Sequence, residues 1–234
     1  MLAELVKAPL GFPVRPRAWL APQLGSGSQP VVPEVRLAIL RISELQPHEM
    51  VEPTRLLRVA RSIASRGAIL RPIIVEEGSL TVIDGHHRLE ALRLLGARYA
   101  PVVLAAYGRE VEGIRAPRRI LRAPATNAGE SLDRAARRLE PLLDPGPSRL
   151  ILRAGSETLE LRTSKPSAYM ALEKLARQAP RLPHAWSITV EPEPLTPDEV
   201  LKAAQASARL PPRSTYHLTP LKSLYAPVRL AHLL

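Results

Sequence analysis

Residues 81–96 constrain the fold of this chain more than any other segment. They read TVIDGHHRLEALRLLG, a β-branched run that ends in Asp-Gly and is followed at once by leucines at helical spacing. Gly96 ends the helical pattern. A strand that turns directly into a helix directs free backbone N–H groups and the positive end of the helix dipole at one point. That point also carries His86, His87 and Arg88. The segment therefore predicts a site for an anion such as a phosphate.

The length and composition of the chain indicate a globular protein. Its 234 residues suffice for one large domain or two small ones, and 45% of them are hydrophobic. No stretch approaches the roughly 18 consecutive apolar residues of a membrane span, so we expect no membrane partner. The N-terminus lacks the basic start and apolar block of a secretory signal. From these features we expect a soluble, cytoplasmic protein.

The charge and the missing residue types narrow the chemistry. The formal net charge of +11 favours an anionic partner, either nucleic acid or a small polyanion such as a nucleotide. Aromatic residues make up only 3%, too few for a surface that stacks the bases of single strands. There is no cysteine, which excludes disulfides and thiolate catalysis. The single asparagine and the 25 prolines are typical of a thermophile, although a biased genome composition gives the same pattern.

Local patterns divide the chain into three predicted parts. Residues 1–33 are a proline-rich N-terminal arm with little regular structure. Residues 34–106 form a core in the order β, α, β, β, α, β, with predicted strands at 35–40, 72–75, 80–83 and 100–105 and helices at 53–66 and 86–95. Residues 107–234 form a mixed lobe that ends in an extended segment, with predicted helices at 132–143, 167–178 and from 197 onward, and strands at 149–153, 158–161 and 186–190.

Two motifs of the core resemble a known superfamily. Residues 84–91, DGHHRLEA, are similar to the phosphate-binding box of the ParB/sulfiredoxin superfamily, in which Gly-x-x-Arg opens a helix that holds the phosphates of a nucleotide. Residues 43–49, SELQPHE, match the segment that precedes this box. Over most of residues 35–234 the chain looks most like the archaeal free serine kinases of that superfamily. The resemblance implies an α/β (α+β) fold, with a ParB/sulfiredoxin-like N-terminal core and a mixed α/β C-terminal lobe.

The function that this resemblance implies is that of a small-molecule kinase. Such an enzyme moves a phosphoryl group from ADP, or in some relatives ATP, to the hydroxyl of free L-serine. The product, O-phospho-L-serine, is a precursor for cysteine biosynthesis. The implied partners are L-serine and the nucleotide, and Mg²⁺ is expected on the nucleotide phosphates with few protein ligands. The oligomeric state and the choice between ADP and ATP stay open.

The resemblance also implies roles for individual residues. Glu49 is the carboxylate that accepts the proton of the serine hydroxyl, whereas a loop glutamate without that role is simply solvated. Asp84 orients the hydroxyl or the metal-bound phosphate, and the alternative for it is a helix N-cap. The predicted phosphate-binding residues are Gly85, His86, His87 and Arg88, of which the arginine offers a planar fork for two oxygens. The predicted ligands of the amino acid are Arg213, Ser214, Thr215 and His217, in the terminal segment 210–217.

Three other functions compete with the serine kinase. A DNA-associated, CTP-binding protein of the ParB type fits the positive charge. The second half, however, mixes strands with helices and lacks a convincing recognition helix, so nucleic acid is not the expected partner. Sulfiredoxin chemistry requires a cysteine at the position of His86, and the chain has none. A kinase of the same fold that acts on another small alcohol stays open.

Overall fold

The computed structural model describes residues 35–178, 186–207 and 209–234. The predicted proline-rich arm, residues 1–33, therefore lies outside the described residues. Contacts within the described part of the chain define two compact units. The first unit contains residues 35–113, 204–207 and 217–234. The second contains the described residues within 114–203 and 209–216.

Helices and strands both occur throughout the described chain. In chain order they are β1 (Arg36–Arg41), α1 (Pro53–Arg66), β2 (Ala68–Ile69), β3 (Ile73–Glu76), β4 (Val82–Asp84), α2 (His86–Leu94), β5 (Tyr99–Ala105), β6 (Gly113–Arg115), β7 (Arg119–Ala123), α3 (Ala128–Leu139), β8 (Ser148–Ala154), β9 (Glu157–Thr163), α4 (Lys165–Gln178), β10 (Trp186–Pro192), α5 (Pro197–Gln205), β11 (Tyr216–Leu218) and β12 (Val228–Arg229). Short 3₁₀ turns lie at Ile42–Glu44, Glu140–Leu142, Pro220–Ser223 and Leu230–His232. The predicted mixture of helices and strands is confirmed in both units.

The first unit is built on a four-stranded mixed sheet in the order β1-β5-β3-β4. β5 pairs antiparallel with β1 and parallel with β3, and β3 pairs antiparallel with β4, with Ile74 opposite Asp84. The predicted pairing of the strands at 72–75 and 80–83 is therefore confirmed, as β3 and β4. This pairing places the end of β4, where the motif begins, at the edge of the sheet.

Both faces of this sheet are covered. Ile73 and Val75 belong to a buried cluster with Leu89 and Leu92 of α2 and with residues of α1. Ile74, the residue between them, belongs to a second cluster that includes Leu221 and Leu224 from the C-terminal part of the chain. Because side chains alternate along a strand, one continuous apolar run serves both clusters.

The C-terminal segment completes the first unit. β12 pairs antiparallel with β2, and Leu233 is fully buried in the cluster with α1 and α2. The carbonyl oxygen of Leu233 accepts hydrogen bonds from the backbone N–H groups of Arg98 and Tyr99, at 2.7 and 3.0 Å. The contacts therefore group residues 217–234 with the core, whereas the sequence division drew one lobe from 107 to 234. Apolar side chains of this segment, which no local pattern links to the core, cause the difference.

The second unit has its own antiparallel sheet in the order β7-β10-β8-β9. Leu121, Leu150 and Ile188 of this sheet pack with Leu132 of α3 and Leu172 of α4. The segment 119–123 is a strand that the sequence analysis does not predict, with Leu121 and Ala123 buried and Ile120 and Arg122 exposed. The helix that opens at Pro197 has the predicted cap, since Thr196 Oγ1 accepts from the Glu199 N–H at 3.3 Å and the Thr196 N–H donates to Glu199 Oε2 at 2.7 Å.

The helix predicted from 132 to 143 begins four residues earlier, as α3. The side chain of Asn127 accepts a hydrogen bond from the Glu130 N–H at 2.9 Å and so caps the helix. α1 has the predicted bounds, with Pro53 at its first position and Gly67 in the left-handed conformation at its end. Among the helices that the structure describes, none has the length and apolar character needed to cross a membrane.

A substitution of Gly67 tests whether the C-terminus of α1 depends on a glycine in the left-handed conformation. Its φ is +60°, and a Cβ added there meets no atom within 4 Å, so a side chain would cost only backbone strain. We expect Gly67→Ala to lower the free energy of unfolding by about 1 kcal/mol, because the left-handed conformation disfavours alanine. Urea denaturation measures this change. Gly67→Asn, the matched control, should lose less, since asparagine tolerates this conformation; equal stability of Gly67→Ala and the natural protein would contradict the account.

Candidate active site

Glu49 lies close to the strand–turn–helix motif because backbone hydrogen bonds join the segment before it to the start of β4. The Gln46 N–H donates to the Leu80 carbonyl at 3.1 Å, and the Gln46 carbonyl accepts from the Val82 N–H at 2.9 Å. Leu45 is buried in the core cluster just before this bridge. The chain therefore passes the end of β4 as it arrives at Glu49.

The Glu49 carboxylate is buried against two histidines. The residue is only 7% exposed, so the alternative of a solvated loop glutamate is wrong. Its Oε2 lies 3.9 Å from Nδ1 of His86, the first residue of α2, and its Oε1 lies 4.0 Å from Nε2 of His48. These separations exceed hydrogen-bond length, and they leave the carboxylate beside the N-terminus of α2.

Three buried histidines form a cluster behind this carboxylate. The rings of His48 and His86 are 4.7 Å apart between centroids and meet edge to face, and those of His48 and His217 are 5.9 Å apart. The Tyr107 hydroxyl and His217 Nε2 share a hydrogen bond of 2.9 Å. The cluster places His217, a predicted substrate ligand, in the same unit as Glu49.

The His217 imidazole is neutral in this cluster at ordinary pH. Burial, with smaller effects from His48 and Lys222, lowers the pKa of His217 to about 3, while a hydrogen bond with the Ile83 backbone acts in the opposite direction. Burial raises the pKa of the Tyr107 phenol, so this hydroxyl keeps its proton. A neutral imidazole and a neutral phenol therefore line the back of the site.

The turn between β4 and α2 requires glycine. Gly85 has φ +107°, and a Cβ added there would lie 2.9 Å from Nη2 of Arg88. Gly85 is also the N-cap residue of α2, and no side chain caps this helix. The alternative reading of Asp84 as the N-cap is therefore wrong. The first hydrogen bond within α2 comes from the Leu89 N–H, which donates to the Gly85 carbonyl at 2.9 Å.

Arg88 fastens α2 to its surroundings. Its Nη2 donates to the Asp84 carboxylate at 2.5 Å, and its Nη1 donates to the carbonyls of Arg71, at 3.1 Å, and Pro72. Burial lowers the pKa of the guanidinium and Asp84 counters this effect, so the side chain stays cationic as arginines do in proteins. These bonds already engage both terminal nitrogens, and binding of phosphate oxygens by the same fork remains a prediction.

The two motif histidines take different roles from each other. His86 turns its ring toward Glu49 and is 6% exposed. Nε2 of His87 accepts a hydrogen bond from the Glu52 N–H at 3.1 Å, which fixes the residue before α1. A nitrogen that accepts a bond in this way is unprotonated, so this atom of His87 does not donate to a phosphate in the described arrangement. The predicted phosphate roles of both rings remain predictions.

The other predicted substrate ligands belong to the second unit. Arg213, Ser214 and Thr215 are counted there, whereas Glu49, Asp84, Gly85, His86, His87, Arg88 and His217 all belong to the first unit. Ser214 is buried, and its hydroxyl donates to the Pro211 carbonyl at 2.8 Å. Arg213 has φ +62°, a conformation uncommon for residues other than glycine. Whether these residues bind an amino acid remains a prediction.

Lys222 is a residue of this site that the sequence did not reveal. Burial lowers the pKa of its ammonium, and the nearby carboxylates of Asp84 and Glu49 act in the opposite direction. It lies in the 3₁₀ turn Pro220–Ser223, far from the motif along the chain. In the sequence it stands out only as one of the five lysines among 33 basic residues.

Comparisons with known proteins agree with this architecture. The profile of the ParB N-terminal domain matches residues 23–113. An ATP-dependent L-serine kinase of Staphylothermus marinus is 34% identical over 80 residues, which cover 32% of this chain and 32% of that protein. An ADP-dependent L-serine kinase of Thermococcus kodakarensis is 28% identical over 78 residues, again 32% of each chain. The match therefore spans about a third of the length of these curated relatives.

A solved structure extends the likeness to most of the chain at the level of the fold. The structure of a free serine kinase in complex with AMP superposes with a TM-score of 0.64 and 18% sequence identity, covering 86% of this chain and 94% of that one. The predicted resemblance is confirmed as a match of residues 23–113 to the ParB N-terminal domain and as a likeness of fold to a free serine kinase. The fold class predicted from the sequence is confirmed as well.

The buried His217 imidazole predicts how stability depends on pH. The unfolded chain binds a proton here near pH 6.5, while the folded state resists it down to about pH 3, so this group removes stability as the pH falls from 6.5 toward 3. We expect His217→Gln to flatten this loss, by at most about 1.4 kcal/mol per pH unit. Urea denaturation at pH 7, 6, 5 and 4 measures the slope.

The exposed His232 supplies the control for this experiment. His232→Gln should keep the pH dependence of the natural protein, because its ring is not buried. An identical slope in the natural protein and in His217→Gln would show that the cluster does not keep this histidine neutral.

Proposed function

We propose that this protein is a small-molecule kinase that transfers the terminal phosphoryl group of ADP or ATP to the hydroxyl of free L-serine, giving O-phospho-L-serine. One observation carries the proposal: a buried carboxylate, Glu49, lies 3.9 Å from the first side chain of α2, at the end of the helix suited to phosphate. The kinases named above, which carry the same fold or a related sequence, support the choice of reaction.

The chemistry divides between the carboxylate and the helix. A serine hydroxyl is a weak nucleophile, so Glu49 accepts its proton as the oxygen attacks phosphorus. The amides of the first turn of α2 and the Gly85 turn hold the phosphates of the nucleotide. Phosphoryl transfer otherwise requires mainly alignment and charge neutralisation. In the same proposal, Asp84 orients the reacting groups and Arg88 supports the turn or binds a phosphate oxygen.

Magnesium enters this proposal as an ion carried by the nucleotide. The described residues contain no group of three or more side chains that could hold a metal ion. Asp84, the carboxylate nearest the turn, already accepts a hydrogen bond from Arg88. This donor set fits an ion held mostly by phosphate oxygens and water. Bound there, Mg²⁺ would neutralise phosphate charge during transfer.

The substrate assignment completes the proposal. Arg213, Ser214, Thr215 and His217 bind the amino acid, through donors suited to its carboxylate and hydroxyl. The product would serve cysteine biosynthesis, and the protein would act in the cytoplasm. Another small alcohol as acceptor is a variant of the same proposal, and assays with L-threonine, L-homoserine and glycerol beside L-serine distinguish the acceptors.

Glu49 provides the central test of the proposed reaction. We expect Glu49→Gln to lower kcat by about 10²–10⁴-fold, the usual contribution of a general base, because the amide cannot accept the proton. Mass spectrometry of O-phosphoserine with L-serine, Mg²⁺ and either nucleotide measures the rate. Calorimetry should show nucleotide affinity within about threefold of the natural protein, since the variant keeps the shape of the side chain.

The exposed Glu112 of the same unit is the matched control. Glu112→Gln makes the same chemical change and should leave the rate unchanged. Natural rates in Glu49→Gln would remove this carboxylate from the reaction, and no O-phosphoserine from the natural protein with either nucleotide would refute the serine kinase itself.

A DNA-associated, CTP-binding protein is the second candidate function. The match to the ParB N-terminal domain and the net charge of +11 favour it. Salt-sensitive DNA binding together with CTP hydrolysis in the absence of L-serine would support this candidate. The kinase proposal instead expects nucleotide consumption that depends on L-serine and not on DNA.

A further inference from the structure

A cleft of about 550 Å³ lies on the first unit, at residues that the candidate active site does not include. Three arginines line it, Arg41, Arg93 and Arg98, together with Ser43 and Tyr99. Pockets for small ligands in proteins commonly have a volume of this order. The cleft is therefore large enough for a small molecule, and its walls are strongly basic.

Backbone hydrogen bonds fix the strands that form one side of the cleft. Arg41 ends β1 and lies opposite Tyr99, the first residue of β5. The Ile42 N–H donates to the Arg98 carbonyl at 2.9 Å, while the Arg98 N–H donates to the Leu233 carbonyl at 2.7 Å. Arg41 and Arg98 consequently extend from a rigid backbone, in which the two strands and the C-terminal segment are joined.

The last turn of α2 forms another side of the cleft. Nη1 of Arg93 donates to Glu90 Oε1 at 2.7 Å, and its Nη2 donates to the Ile42 carbonyl at 3.4 Å. His86, the first residue of α2, lies about 10 Å earlier along the helix axis, since each residue adds about 1.5 Å. The cleft and the candidate active site therefore lie at opposite ends of the same helix.

The positive charges of the cleft are not balanced by its neighbours. Arg93 pairs with Glu90. Among the described residues, no ion pair joins the guanidinium of Arg41 or Arg98 to a carboxylate. The Glu44 carboxylate accepts from the backbone N–H of Arg41, at 3.1 Å, and does not line the cleft. An anion bound in the cleft would lower the electrostatic repulsion between these cations.

The residues outside the described ranges offer little negative charge for this cleft. They contain two carboxylates, Glu4 and Glu34, and a larger number of basic side chains. The charge that balances Arg41 and Arg98 is therefore expected on a bound anion rather than on this chain.

We propose that this cleft binds a phosphate group, either free or carried by a small molecule. A guanidinium offers two parallel N–H donors to phosphate oxygens, and two guanidiniums match the charge of a phosphate dianion. The hydroxyls of Ser43 and Tyr99 are further donors, and the buried Ile42 and Ala97 give an apolar surface. The concave shape and small volume suit such a ligand better than the extended backbone of a nucleic acid. This inference does not depend on the proposed kinase function.

NMR spectra of the backbone amides test the proposal at single residues. The probes are inorganic phosphate and glycerol 3-phosphate, each titrated into the natural protein at about 0.15 M NaCl, where general charge effects are screened. We expect saturable shifts of the Ser43, Arg98 and Tyr99 amides. A higher affinity for the ester would assign the phosphate to a small molecule, and an equal or lower one would assign free phosphate. Phosphate bound at the candidate active site would shift the amides of 86–89 instead, so the two sites are distinguishable.

A double variant, Arg41→Gln with Arg98→Gln, removes both unbalanced cations. We expect it to weaken phosphate binding at the cleft about tenfold or more, because each charged donor contributes to the binding. Arg58→Gln with Arg61→Gln, at exposed positions of α1, is the matched control, since it removes the same charge from the same unit. The control should keep the natural affinity, and both variants should keep the urea midpoint of the natural protein.

Three results would overturn the inference. The first is the absence of saturable shifts at the cleft with either probe. The second is an equal loss of affinity in both double variants, which would show a general effect of net charge. The third is a response of the same amides to duplex DNA but to neither probe, which would make the cleft a nucleic-acid surface. None of these results depends on whether the protein makes O-phosphoserine.

Discussion

The left-handed turn at Gly85 is the constraint on which the rest of the site depends. Only a residue without a side chain lets β4 pass directly into α2 while the Arg88 guanidinium lies 2.9 Å from where a Cβ would be. That guanidinium bonds to Asp84 and to the chain before β3, so the turn, the sheet and the helix are held together. The N-terminus of α2 consequently keeps its amides at the edge of the sheet without a side-chain cap.

Burial gives the neighbouring groups their chemical character. The three histidines behind Glu49 are almost fully buried, and the cost of charging an imidazole there keeps His217 neutral. The bridge between Gln46 and β4 holds the segment that brings Glu49 to these rings. A carboxylate in such surroundings is fixed in place. It stays beside the N-terminus of α2, where the nucleotide is proposed to bind.

Local signals in the sequence predicted the framework of the first unit well. Pro53 and Gly67 mark both ends of α1, and the apolar runs around 73–76 and 82–84 form the expected pair of strands. The motif also predicted that α2 begins at His86, directly after the turn. These features depend on neighbouring residues, so a single sequence contains them.

Long-range contacts explain what the sequence did not reveal. β2 and β12 have two residues each and exist only because they pair with each other across the chain. Lys222 reaches the site through the packing of Leu221 and Leu224 against β-strands more than a hundred residues earlier. The hydrogen bonds of Arg88 to backbone carbonyls, and the His87 bond to the Glu52 N–H, have no pattern in the sequence. Tertiary structure decides each of these details.

A crystal structure with the donor nucleotide and L-serine tests the central claim most directly. The account predicts the terminal phosphate within about 3.2 Å of the first backbone amides of α2 and the serine Oγ within about 3 Å of the Glu49 carboxylate, as hydrogen bonds require. A nucleotide bound away from the Gly85 turn, or a serine hydroxyl out of reach of Glu49, would contradict it.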